Sequence, residues 1–474
     1  MEPGTRPDVP EPPLEPAEQT GPVAIPSPPL PSYPPMPLSW RLGIGAAILL
    51  LAGLAFLTRG WIGTRGQAAA GVLCFIGIAA MCSANLRAVN PRTLAWGFAL
   101  QLALALLVTQ SQSGYRAFES AGEVVKKFLE FSLEGARFVF GVLADEPAMQ
   151  KPFGQKKGLV FAFTALPTII FVSSFFSVLY YFGVLQWVVT VVARVMRYLM
   201  QTSGAETVSV TANVFMGQTE APLIVKPYVP RMTQSELLAL MVGGMAHISG
   251  GLMAVYIKMG ADPVAILTTS IMASPCTLYM AKLMLPEMER PETTGDVKPT
   301  IEKTHVNVID AAASGAADGL RLALNVAAML IAFIALIALV DALLGLINPD
   351  LSLARIFSIL FAPVAFLMGV TGDDVPRVAD LLGTKLVLNE FVAFTRFQEY
   401  GAKLSPRAQV LATYALTGFA NFASIGIQLG GIGAMAPGRR KDLARLGGRA
   451  LFVGFLVTLV NASLAGLLLR DAGE

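Results

Sequence analysis

Apolar runs long enough to cross a bilayer recur along this chain, separated by short polar or basic links. Nine qualify by length and composition: residues 42–58, 67–86, 93–109, 158–182, 237–257, 263–285, 322–347, 408–429 and 450–469. Other stretches keep the helical period on one face only. Residues 115–141 set Phe118, Val125, Phe128, Phe131 and Phe138 against Arg116, Glu119, Lys126, Lys127 and Glu130, the pattern of a helix lying in the interface. Residues 185–200 carry Arg194 and Arg197 on one face and suit a surface helix, and residues 306–317 read as a short amphipathic helix. The expected fold class is an all-α polytopic membrane protein.

Two stretches do not suit lipid-facing helices. Within residues 211–230, Gly217 and Pro222 bracket Gln218, Thr219 and Glu220. A carboxylate at membrane depth costs about 3 kcal/mol or more unless it meets a cavity or a partner. Irregular backbone there must be buried in protein or line water. The pattern predicts a re-entrant hairpin whose broken tip presents polar groups to a small solute. Residues 355–388 repeat it: an apolar arm, a break at 369–376, and a second arm running into Asn389-Glu390-Phe391. Each hairpin is followed by a span interrupted by glycine and small polar residues, at 243–251 and at 418–426. Matching broken segments in two halves point to a transporter built on inverted repeats, with its site near the midplane.

Composition narrows the reading further. Of 474 residues, 54% are hydrophobic and 14% charged, against about 25% charged in soluble domains. A net charge of +3 suggests no nucleic-acid partner. Cys74, Cys82 and Cys276 lie in apolar runs and read as small hydrophobes, not as a disulfide or metal framework. An intramembrane enzyme acting on lipids through the buried carboxylates is a rival reading. No HExxH, no Gly-x-Ser-x-Gly and no histidine beside either carboxylate supports it. A channel is a third alternative. Residues 1–37 hold 14 of the 31 prolines and are expected to form a disordered tail. No cleavable signal is evident. The basic link at 87–92 and the loop at 436–449, with Arg439, Arg440, Lys441, Arg445 and Arg449, are expected on the cytoplasmic side.

Several motifs in one order resemble the concentrative nucleoside transporter family. They are Gly217-Gln-Thr-Glu-Ala-Pro-Leu with Lys226-Pro-Tyr, Asn389-Glu-Phe-Val-Ala, Gly418-Phe-Ala-Asn-Phe-Ala-Ser-Ile-Gly-Ile, and Leu429-Gly-Gly-Ile-Gly-Ala-Met-Ala-Pro-Gly-Arg-Arg. The resemblance covers residues 67–468 and implies a homotrimer in a bacterial inner membrane, each protomer with a transport domain moving on a scaffold. It divides the chain into a tail (1–38), mostly scaffold helices (39–200), and a first hairpin with transport helices (201–285). A loop with interfacial and scaffold helices (286–350) and a second hairpin with transport helices (351–470) follow. Family members of the bacterial type have eight transmembrane helices; here residues 42–58 add one. The implied activity is cation-coupled import of purine and pyrimidine nucleosides, with no enzymatic step and no cofactor beyond the coupling ion. By position, Gln218, Thr219 and Glu220 would face the nucleobase, and Glu390, Asn421 and Ser424 the ribose hydroxyls. Leu252 and Phe419 would supply apolar walls. Gly217 in place of serine goes with accepting both base classes.

The coupling-ion site departs from the family. It would comprise the Asn213 side chain, carbonyls near Met216 and Ile248, and a hydroxyl at position 247, where this chain has histidine. Sodium prefers oxygen ligands to imidazole nitrogen. His247 either turns away from a sodium site, carries a proton, or is simply packed. Retained Asn213 favours sodium over the proton.

Overall fold

The computed structural model describes residues 36–145, 148–149, 161–293 and 305–469. The proline-rich tail, except for its last residues, lies outside the described residues, as do the start of the expected span at 158 and part of the loop at 286–304. The described elements are helical throughout. They are α1 (Leu38–Leu57), α2 (Arg59–Met81), α3 (Pro91–Thr109), α4 (Gln112–Phe140), α5 (Phe161–Tyr181) and α6 (Val184–Met200). Then come α7 (Gly204–Ala212), α8 (Gln234–Ala246), α9 (Gly250–Lys258), α10 (Pro263–Met284), α11 (Val308–Ile347) and α12 (Leu353–Leu360). The chain ends with α13 (Ala362–Leu367), α14 (Asp374–Val387), α15 (Glu390–Tyr400), α16 (Pro406–Leu416), α17 (Phe422–Met435) and α18 (Arg440–Leu468).

Among the described residues, eight spans are long and apolar enough to cross a membrane, counting α8 and α9 as one. The broken pair α16–α17 corresponds to the ninth expected span. α8–α9, α10 and α18 are the buried centre, whereas α11 keeps one apolar face exposed along its length. An exposed apolar helix in this setting faces lipid or another subunit. α11 packs chiefly on α5. Gly315 and Gly319 permit this: a Cβ at Gly319 would lie 2.7 Å from the Ile170 Cα, so only glycine lets the backbones approach. The expected short helix at 306–317 and the span at 322–347 are one continuous 40-residue helix. No proline falls between them, and helical propagation needs a breaker to stop it.

Buried polar side chains tie the centre together. Gln101 of α3 donates to Asn461 of α18 (2.6 Å) and accepts from the Tyr279 hydroxyl of α10 (2.8 Å). The base of the first hairpin is fixed by Lys282, which contacts Glu206 at 2.8 Å, Glu287 at 3.0 Å and Ser235 at 2.9 Å. Ser203 with Glu206, and Thr233 with Glu236, form capping boxes at the starts of α7 and α8. These contacts bind α7, α8 and α10 into one body.

In the first hairpin, α7 ends at Ala212; the chain returns through turns and the 3₁₀ segments Ala221–Val225 and Val229–Arg231. In the second, the tip is not where the glycine-rich break predicts it. The break near Gly369 and Gly372 is a turn joining α13 to α14, with Thr371, Gly372 and Asp373 exposed. The hairpin arms are α14 and α15, and they meet at Leu388–Asn389. Asn389 decides this, because its side chain accepts from the Val392 amide (2.9 Å) and starts a new helix inside an apolar run. Asp380 clips the arms together, pairing with Arg396 at 2.5 Å and accepting from the Tyr400 hydroxyl at 2.7 Å.

Candidate substrate and cation site

Two broken helices cross at their breaks. The first stops at Ala246 and resumes at Gly250; the second stops at Leu416 and resumes at Phe422. Each break frees carbonyl and amide groups that must find partners. They find them across the crossing: the Phe419 amide donates to the His247 carbonyl (3.2 Å), and the Gly250 amide to the Phe215 carbonyl of the first hairpin (3.0 Å). Gly418 makes the close approach, since its φ of 135° suits only glycine and a Cβ there would lie 2.9 Å from the Ala246 oxygen.

Polar side chains from both hairpins converge at this crossing. Asn421 caps α17, its Oδ1 accepting from the Ser424 amide (2.9 Å), which turns its Nδ2 toward Glu390 Oε2 (2.8 Å). Glu390 Oε1 accepts from the Tyr256 hydroxyl at 3.2 Å. From the first hairpin, Gln218 Nε2 donates to the Ser424 hydroxyl (3.3 Å). Gln218 Oε1 accepts from Gln428 Nε2 at 3.3 Å, and the same nitrogen donates to the Met241 carbonyl at 3.0 Å. Four of the expected substrate residues, Gln218, Glu390, Asn421 and Ser424, thus form one continuous buried chain through Ser424 and Asn421. Leu252 and Phe419 are buried near the same crossing.

Thr219 and Glu220 lie apart from that chain. Thr219 abuts Gly431, where a Cβ would meet its Cγ2. Glu220 is exposed, accepts from the Gly217 amide (3.0 Å), and lines a cavity of about 330 Å³ with Met216, Lys226, Ser249 and Asp318.

At the expected cation position, Asn213 Nδ2 donates to the Ser209 carbonyl (2.9 Å), while its Oδ1 is buried without a hydrogen-bond partner. An orphaned buried oxygen acceptor suits a hard cation. Ile248 is buried and Met216 half-buried. His247 is occupied on both ring nitrogens, with Nδ1 2.8 Å from the Gly243 carbonyl and Nε2 3.1 Å from the Ser274 hydroxyl. Only an Nδ1–H can face a carbonyl, so Nε2 of the neutral ring accepts from Ser274. Among the described residues no cluster of His, Cys, Asp and Glu could hold a metal ion.

Sequence reasoning missed Tyr256 and Gln428. Tyr256 gave no signal, being one more aromatic residue in an apolar span. Gln428 could have been noticed as a polar side chain inside an apolar stretch.

Three family models match in chain order: the Na+ dependent nucleoside transporter N-terminus over residues 70–143, a nucleoside recognition gate over 162–263, and the Na+ dependent nucleoside transporter C-terminus over 265–466. An uncharacterized transporter of Haemophilus influenzae is 42% identical over 84% of this chain and 96% of its own length. The chain belongs to the concentrative nucleoside transporter family.

As a concentrative nucleoside transporter it is an integral membrane protein and not an enzyme. Sodium/nucleoside cotransporter 1 of Homo sapiens is 42% identical over 85% of this chain, which spans 64% of that relative's length. The inward-facing substrate-bound structure of CNTnw superposes with a TM-score of 0.82 at 41% identity, covering 85% of this chain and 97% of that one. An outward-facing structure of a doubly substituted CNTnw gives 0.81 at 39% identity, with the same coverage.

Proposed function

We propose that this chain is a sodium-coupled symporter that imports nucleosides across a bacterial inner membrane by alternating access. The observation that carries the proposal is the buried chain from Gln218 to Glu390, which joins the two hairpins where the two broken helices cross. A solute bound there would touch both halves at once. The relatives named as sodium/nucleoside cotransporters, and the neighbouring structures in inward- and outward-facing states, support the same reading.

The Gln218 amide offers a donor and an acceptor, which suits a base edge. Thr219 and Glu220 border the approach to the base. Glu390, Asn421 and Ser424 take the ribose hydroxyls, with Leu252 and Phe419 as walls. A carboxylate accepting from a sugar hydroxyl makes a charge-assisted contact and disfavours sugars that lack it. Gly217 leaves room for purines as well as pyrimidines.

Sodium, as co-transported cargo, would take Asn213 Oδ1 and the carbonyls of Met216 and Ile248. Those are oxygen donors, as a hard cation requires. His247, committed to Gly243 and Ser274, packs the break and is neither ligand nor proton carrier. The ion orders the first hairpin, the nucleoside bridges both hairpins, and the body formed by residues 201–285 and 351–470 moves past a scaffold that includes α5 and α11. In a homotrimer the exposed face of α11 would be covered by other subunits. Uptake of uridine and adenosine into proteoliposomes under imposed sodium and proton gradients tests this. Accumulation driven by sodium is expected. Equilibration without accumulation would indicate a channel, a chemically altered product an enzyme, and uptake driven by protons alone would overturn the cation assignment.

A further inference from the structure

The site described so far leaves one buried charge unused. Lys385, in the last turn of α14, is fully buried; its ammonium donates to the Ala415 carbonyl (2.7 Å) and the Thr458 hydroxyl (3.1 Å). It lies 5.7 Å from the Phe455 ring centre, and among the described residues no carboxylate pairs with it directly. Burying an ammonium without a counter-charge is costly, so its place needs a reason.

Two features of the site supply one. In an unbroken helix the Ala415 carbonyl would accept from the Phe419 amide, but that amide is spent on His247 at the crossing. Lys385 takes the freed carbonyl, as the His247 ring takes Gly243 at the other break. Its charge also sits at the carbonyl end of α16, where the helix dipole favours a cation. Five residues on, across the hairpin tip, is Glu390, whose oxygens accept, among the described residues, from neutral donors, the side chains of Tyr256 and Asn421 and its own backbone amide. A buried carboxylate with neutral partners alone tends to neutralise. The Lys385 charge acts on Glu390 through space across the tip, and in so dry a setting such an interaction is little screened.

We propose that Lys385 is a positioning residue for the sugar site: it holds the broken end of α16 against the second hairpin, and its charge keeps Glu390 an anionic acceptor for the ribose hydroxyls. This rests on the nucleoside reading given above.

The test compares uridine with 2′,3′-dideoxyuridine uptake by full-length wild type, Lys385→Met and Lys385→Arg in proteoliposomes. With the charge removed, the kcat/KM ratio of uridine to the dideoxy compound falls about tenfold, the difference between a charged and a neutral hydrogen bond. Lys385→Arg keeps most of the ratio. A purely structural lysine would lower both rates together, and an unchanged ratio in folded Lys385→Met overturns the proposal. Infrared difference spectra between wild type and Glu390→Gln at neutral pH supply a measurement that needs neither Lys385→Met to fold nor transport to occur. A protonated carboxyl band lost on that substitution overturns the proposal; loss of carboxylate bands alone supports it. Wild type that transports neither compound refutes the nucleoside reading, and the infrared result still decides whether Glu390 is anionic.

Discussion

Replacing Tyr256 by phenylalanine isolates a single atom of the site. The ring lies stacked on Phe394, 4.3 Å between centres at 15°, and edge-on to Phe391 at 5.1 Å. Phenylalanine keeps both contacts, so packing and folding should survive. What disappears is the hydroxyl 3.2 Å from Glu390 Oε1. A hydrogen bond to a charged acceptor contributes about 1.5–3 kcal/mol, and a buried acceptor left unpaired loses that in full. Without the tyrosine, Glu390 has one fewer anchor and would leave the geometry proposed to receive the sugar. Expressed as transport, the loss is about 10- to 150-fold in kcat/KM for uridine. Initial uptake rates in proteoliposomes measure it, with thermal unfolding as the control for packing. The pairing is tested further in a cycle with Glu390→Ala. If the tyrosine acts only through the carboxylate, Tyr256→Phe costs nothing more once Glu390 is gone. Losses that simply add, or a Tyr256→Phe variant with wild-type kcat/KM, would refute the reasoning.

Asn213→Ala should raise the sodium concentration for half-maximal uptake by about tenfold, the scale of one lost interaction of about 1.4 kcal/mol; an unchanged sodium curve would remove Asn213 from the ion site. His247→Ser should keep sodium as the driving cation and, by offering a hydroxyl oxygen, tighten its use, read from uptake under crossed sodium and proton gradients; a change of driving ion would show that the imidazole carries the coupling proton. Gly418→Ala should destabilise the protein by about 1–3 kcal/mol through backbone strain alone, with further loss from the clash at Ala246, seen as a lower melting temperature. A variant that melts like wild type would mean that the two breaks do not meet as described.

The chain's own pattern determined the class of this protein and where its polar breaks lie, and the resemblance of its motifs implied the chemistry. Period and length along the apolar runs set the spans, because a bilayer accepts few other solutions for a backbone. Gln218, Glu220, Glu390, Asn421 and Ser424 were visible because polar groups in apolar stretches are costly and need a cause. Tertiary structure alone decided how they meet. The second hairpin turns at Leu388–Asn389, not at the more obvious glycine break, because a side chain cap can start a helix where hydropathy shows no boundary. Glu220 and Glu390 look equivalent in sequence, yet one faces an open cavity and the other is enclosed by Tyr256 and Asn421. His247 read as turned away from a sodium site, as a proton carrier or as simply packed, and only the fold shows its ring between Gly243, one helical turn away, and Ser274, on another helix. Pairings such as Lys385 with Ala415 and Thr458 join residues 30 and 73 positions apart, and no local spacing encodes them. They exist because two helices break at the same depth and must satisfy each other's free backbone groups.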